Sequence, residues 1–146
     1  MTYFLNIKDT NIRMAVFYVY RHYSDEEFLN QIRNVPKFNY TSLTSFQVAE
    51  KIEKEMFLKD ITITPYKTFN PWSKVIAYAQ NDTIFINTRK NFSIVDRVET
   101  IFHETMHIIG FEHQGNIPNS FNLKTVPYLA GNIFANYIRE KHDLKA

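Results

Sequence analysis

His103-Glu104-Thr105-Met106-His107-Ile108-Ile109-Gly110-Phe111-Glu112-His113 is the stretch on which the reading of this chain turns. It has the form H-E-x-x-H-x-x-G-x-x-H, and each fixed position has a chemical task that few other residues perform. Residues four apart on a helix share a face, so His103 and His107 aim two imidazoles at one point. Glu104 sits beside that point. It is badly placed to be a third ligand from the same turn, but it reaches a water bound there. Gly110 lets the chain leave the helix through a left-handed turn, which brings His113 back as a third nitrogen ligand. Three neutral imidazoles with one open position describe a catalytic zinc (Zn2+) site rather than a closed structural one. Three of the 5 histidines fall in this segment, and the glycine falls where a helix has to end. The competing reading is a core helix with satisfied polar side chains and an unrelated glycine cap.

Outward from the motif, Ser93-Ile94-Val95-Asp96 reads as a helix start, and Val95, Val98, Ile101, Phe102 and Ile109 give the helix an apolar face. Upstream, Thr83-Ile84-Phe85-Ile86-Asn87 and residues 74–79 read as two strands of a hairpin across Asn81-Asp82, with a further strand over residues 61–66. Residues 68–73 form an aromatic loop holding the single Trp72. A helix is expected over residues 44–58, where Phe46, Ala49, Ile52 and Met56 keep a helical period while Glu50, Lys51, Glu53 and Lys54 face water. Ser24-Asp25-Glu26-Glu27 resembles a capping box for a short helix to about residue 33, stopped by Pro36. Residues 12–20 are apolar and rich in Val, Phe and Tyr, which predicts a buried strand behind a short one over residues 3–8. After the motif, residues 114–124 are polar and irregular. Thr125-Val126-Pro127 then opens a final helix to about residue 141.

At 146 residues the chain is expected to be one α+β domain spanning 1–146, with the zinc helix in a larger part, about 1–113, and a small C-terminal part, 114–146. Hydrophobic content of 45% and charged content of 22% are globular values, and 13 Phe with 9 Tyr predict an aromatic core. A net charge of +2 with no basic stripe argues against nucleic acid as a partner. The absence of cysteine excludes a disulfide framework, a thiolate zinc site and a cysteine nucleophile. No segment reaches transmembrane length, so no membrane partner is expected, and residues 1–9 lack the pattern of a secretory signal. The chain as it stands reads as soluble, although a processed precursor would look the same. His22 and His142 read as surface residues without a role.

Zinc held by three neutral imidazoles keeps its positive charge and lowers the pKa of its bound water towards about 7. Glu104 can then take the proton as the water attacks a carbonyl, and pass it to the leaving amine. Hydrolysis of a peptide or related amide bond is the reaction that uses these parts.

The segment from His103 to His113 resembles the extended zinc-binding motif of the metzincin clan of metallopeptidases. The resemblance implies a zincin-like fold, a mixed twisted sheet packed on helices, with His103, His107 and His113 as metal ligands and Glu104 as general base. It implies a protein or peptide substrate, paired with an antiparallel edge strand, for which Thr83-Ile84-Phe85-Ile86-Asn87 is the candidate; an ordinary hairpin strand is the alternative. The clan places a methionine turn beneath the zinc, yet Met1, Met14, Met56 and Met106 all precede His113. Thr125-Val126-Pro127-Tyr128 falls where that turn belongs. Tyr128 is there either a zinc-facing, oxyanion-stabilising phenol or a plain core or surface tyrosine. Val126-Pro127-Tyr128 is also similar to small phage-encoded metallopeptidase-like proteins.

Three rivals stand beside this reading. A downstream carboxylate, Glu140, serves as third ligand in a gluzincin-like scheme. A zinc-stabilised binding or virion-assembly module keeps the ligands without turnover, although the intact Glu104 has no purpose there. A hydrolase of non-peptide amides uses the same chemistry on another substrate.

Overall fold

The chain opens with strand β1 (Thr2–Leu5) and then turns into helix α1 (Thr10–His22) rather than a second strand. Over residues 12–20 the spacing overrides the residue types. Ile12, Ala15, Val16, Val19 and His22 recur at steps of three and four and are buried, as one face of a helix requires. The Asp9 carboxylate caps the first turn by accepting from the Ile12 N–H at 3.0 Å. Helix α2 (Glu26–Arg33) follows Asp25, whose side chain makes no cap bond, so the expected capping box is not formed. Helix α3 (Ser45–Phe57) does begin with one, between Thr44 and Gln47. It buries Val48, Ala49, Ile52 and Met56, whereas Phe46, expected on that face, is 68% exposed at the first turn.

Strands β2 (Asp60–Tyr66), β3 (Ala77–Gln80) and β4 (Thr83–Asn87) complete a mixed sheet of order β1-β2-β4-β3. β2 runs parallel to both β1 and β4, while β3 and β4 form the antiparallel hairpin with Asn81 in the left-handed region at its turn. The strand proposed as the substrate-lining edge, β4, therefore lies inside the sheet between β2 and β3. The two edges are β1 and β3, and β3 is the one that lies against the motif helix.

Helix α4 (Ile94–Ile108) carries the motif and starts at Ser93, whose hydroxyl accepts from the Asp96 N–H at 3.1 Å. A loop with a short 3-10 turn at Asn122–Lys124 leads to α5 (Val126–Lys141), with Pro127 in its first turn. Among the described residues, 1–70 and 72–145 of this computed structural model, five α-helices thus pack on a four-stranded mixed sheet, an α+β arrangement. None of these helices is long and apolar enough to cross a membrane.

α4 touches α1, α5, β3 and β4, which holds the motif helix between the β3 edge of the sheet and the last helix. Its inner face joins a stack of phenylalanines, with Phe102 and Phe134 rings 4.4 Å apart and Phe28 edge-on to both. Each such pair adds about 1 kcal/mol beyond the area it buries. The aromatic core expected from composition is thus centred where α2, α4 and α5 meet. His22 is not a surface residue either: it is buried, and His142 lies against it.

Candidate metal centre

The end of α4 shapes the site. Gly110 has φ +104°, a conformation that side chains disfavour, and the Phe111 N–H reaches back to the Met106 carbonyl at 3.0 Å to close the helix. The chain then doubles back and delivers His113 to the face that carries His103 and His107. The three Nε2 atoms stand 3.2, 3.3 and 3.1 Å apart. Ligands about 2.05 Å from a tetrahedral metal are separated by about 3.3 Å, so the three nitrogens already have the spacing of one tetrahedral face. The group can hold a metal ion.

The outer nitrogens fix the direction of the inner ones. His107 Nδ1 lies 2.8 Å from the Phe111 carbonyl oxygen and His113 Nδ1 lies 2.6 Å from that of Gly115. A carbonyl only accepts, so both rings carry their proton on Nδ1 and turn an Nε2 lone pair inward. Burial, with lesser contributions from His107 and His113, pushes His103 down to about 3. Burial lowers His107 too, against the pull of Glu112. Neutral imidazole is the form that ligates, and burial favours it at His103 and His107.

Glu104 points to the sheet side and is 9% exposed. Burial raises its carboxyl to about 7, with the Ala79 backbone amide of β3 opposing and Glu112 adding to the shift. Tyr128, in the first turn of α5, sets its ring 4.6 Å from that of His103 and 4.8 Å from that of His113. Its hydroxyl is raised by burial and by the charge of Glu104. All five residues singled out by sequence, His103, Glu104, His107, His113 and Tyr128, therefore meet at one place. Glu140 does not: it is exposed and lies more than three turns further along α5 than Tyr128.

Several supports carry no periodic or motif signal. Asn122 is fully buried and shapes the loop after His113. Its Oδ1 accepts from the Gln114 N–H at 2.9 Å, and its Nδ2 donates to the carbonyls of Gln114 and Ile117. Tyr3 in β1 hydrogen-bonds Thr105 of the motif helix at 2.9 Å, a pairing across 102 positions. Gly131 lets α5 lie close on α4: a Cβ there would stand 3.3 Å from the Glu99 carbonyl oxygen and 3.6 Å from the Cβ of His103. A lone asparagine, a strand tyrosine and a helical glycine look ordinary in one dimension.

The chain was compared with protein-family models, with curated proteins and with solved structures, and none of them matches it.

Proposed function

We propose that this chain is a zinc-dependent endopeptidase of metzincin-like type, with His103, His107 and His113 as the metal ligands and Glu104 as the general base. The observation that carries the proposal is the convergence of three lone-pair nitrogens at tetrahedral spacing beside a buried carboxyl. Zinc in that position would supply a Lewis acid and a water acidified towards about 7. Glu104 takes a proton from the attacking water as its oxygen bonds to the scissile carbonyl carbon. It returns that proton to the nitrogen when the carbon–nitrogen bond breaks. Tyr128 donates its hydroxyl to the carbonyl oxygen as negative charge develops there.

Two arrangements support a peptide as substrate. Among the described residues the β3 edge has no strand on its outer side, and its Ala79 amide faces Glu104. An extended peptide adding to that edge has its backbone carried past the base. The zincin-like reading of the fold follows from the same placement of an antiparallel edge strand beside the motif helix. The Tyr128 ring packs on two of the three imidazoles, in the segment where the methionine turn would fall.

Metal content and cleavage of a broad peptide library test the proposal. Wild type is expected to hold one zinc in the centre and to cleave; Glu104→Gln is expected to keep the zinc and lose cleavage. Zinc retained by both proteins with cleavage by neither identifies a binding module. A well-folded chain that takes up no zinc at these three histidines ends the metal assignment itself.

A further inference from the structure

A second cluster of histidine, carboxylate and phenol side chains lies at the other end of α5. His22 closes α1, Asp25 precedes α2, and Tyr137 and His142 stand at the end of α5. The Tyr137 hydroxyl donates to Asp25 Oδ2 at 2.6 Å, and His22 Nδ1 lies 2.7 Å from the same oxygen. His22 Nε2 faces His142 Nε2 at 2.9 Å. The Asp25 carboxylate accepts from both partners, so His22 carries a proton on Nδ1, and its neutral form projects a lone pair from Nε2. Asp25 stands where α2 offers it a capping role, yet its side chain makes no cap bond. It is committed to orienting His22.

We propose that His22 and His142 form a second metal site, for a divalent transition ion of the copper or zinc type, with Asp25 and Tyr137 as the outer partners that aim His22. A ligating imidazole whose other nitrogen is held by a carboxylate, itself hydrogen-bonded, is how proteins set the tautomer and basicity of a metal-binding histidine. The three-histidine centre uses backbone carbonyls for the same end. Imidazole pairs suit copper, nickel and zinc, and the Irving–Williams order makes copper the tightest.

His142 supplies the adjustment the site needs. Without metal the two rings share one proton in an N–H···N hydrogen bond. With metal, His142 takes the tautomer protonated on Nδ1, and its Nε2 withdraws to the separation of about 3.3 Å that a tetrahedral ion imposes. The residue is exposed and caps the end of α5, with the Tyr18 ring 4.6 Å from its own. Solvent reaches the pair from the His142 side and fills the remaining coordination positions.

The test is a titration of chelator-treated, full-length protein with Cu2+, followed by calorimetry and electron paramagnetic resonance. The readout is the copper equivalent that depends on His142, which is separable from anything the three-histidine centre binds. His142→Ala is expected to bind one equivalent fewer than wild type, and the lost signal is expected to show two nitrogen ligands. Tyr137→Phe keeps the ring and removes only the donor to Asp25. It is expected to retain that equivalent with affinity weakened about tenfold or more. Circular dichroism checks that both variants fold. Equal stoichiometry in wild type and His142→Ala overturns the proposal and leaves a plain histidine–histidine hydrogen bond. An undiminished affinity in Tyr137→Phe removes Tyr137 from it.

Discussion

Burial acts in opposite directions on the titratable groups of α4, because it disfavours whichever form is charged. It keeps His103 neutral and ready to ligate, and it raises the Glu104 carboxyl to about 7. Glu99, one turn before His103, is raised in the same way, with the charge of Asp96 adding to the effect. An acid whose folded pKa is raised contributes its full stability below the unfolded value of 4.5 and loses it as pH climbs through the folded value. Glu99→Gln carries no charge to desolvate. Its urea midpoint is expected to match wild type near pH 4 and to exceed it by a growing margin up to pH 8; equal midpoints at pH 8 would show that the carboxylate is comfortable where it sits. Tyr128 is tested by a different readout. If its hydroxyl serves the oxyanion, Tyr128→Phe should lower kcat by about 10²-fold while zinc content is unchanged. A loss confined to KM would make it a wall of the cleft instead.

At the level of elements, the motif helix and its ending were legible because their chemistry is local: spacing, a glycine and a cap are all readable in one dimension. The Gly110 turn shows how much hangs on one such feature. Its φ of +104° admits a side chain only with strain, although a Cβ there would meet nothing nearer than Lys51 at 3.8 Å. Gly110→Ala is therefore a test of backbone alone. It is expected to cost about 1–3 kcal/mol in chemical denaturation. Because His113 reaches the centre through this turn, zinc affinity is expected to fall as well; lost stability with unchanged affinity would mean the loop finds His113 its place without the turn. α1 was misread for the converse reason. Val, Phe and Tyr favour strands on average, but a recurrence at three and four residues decides which face can be buried, and the Asp9 cap falls between the two stretches expected to be strands. The edge role given to β4 failed because strand order is a long-range property. Residues 83–87 look the same whether they lie inside a sheet or at its rim, and only the pairing of β2 with β4 decides between them.

Across the whole molecule, what the sequence did not disclose is how distant segments support the centre: Tyr3 braces Thr105, Asn122 shapes the loop beyond His113, and Gly131 admits α5 close to His103. These contacts divide the chain into a preformed part and a dependent one. His103, Glu104 and His107 sit on a helix whose Phe102, Met106 and Ile101 are fully buried, so the backbone that carries them is held by core packing, with Tyr3 bracing Thr105. His113 and residues 114–121 are held mainly by Asn122 and by the Gly115 carbonyl, and residues 114–121 are exposed throughout. A metal joining His113 to the helix therefore closes the weakest segment onto the strongest. At zinc a hundredfold above its dissociation constant the linkage is worth about 2.7 kcal/mol, a Tm rise of about 5–10 °C for a domain of this size. The gain should not be uniform. Hydrogen exchange with and without a chelator is expected to show protection by zinc concentrated in residues 111–125 and the first turn of α5, with α1 and α3 nearly unchanged outside global unfolding. Protection spread evenly over all helices would instead mean that the metal-free chain has no preformed centre, and that zinc folds α4 rather than merely locking the loop to it.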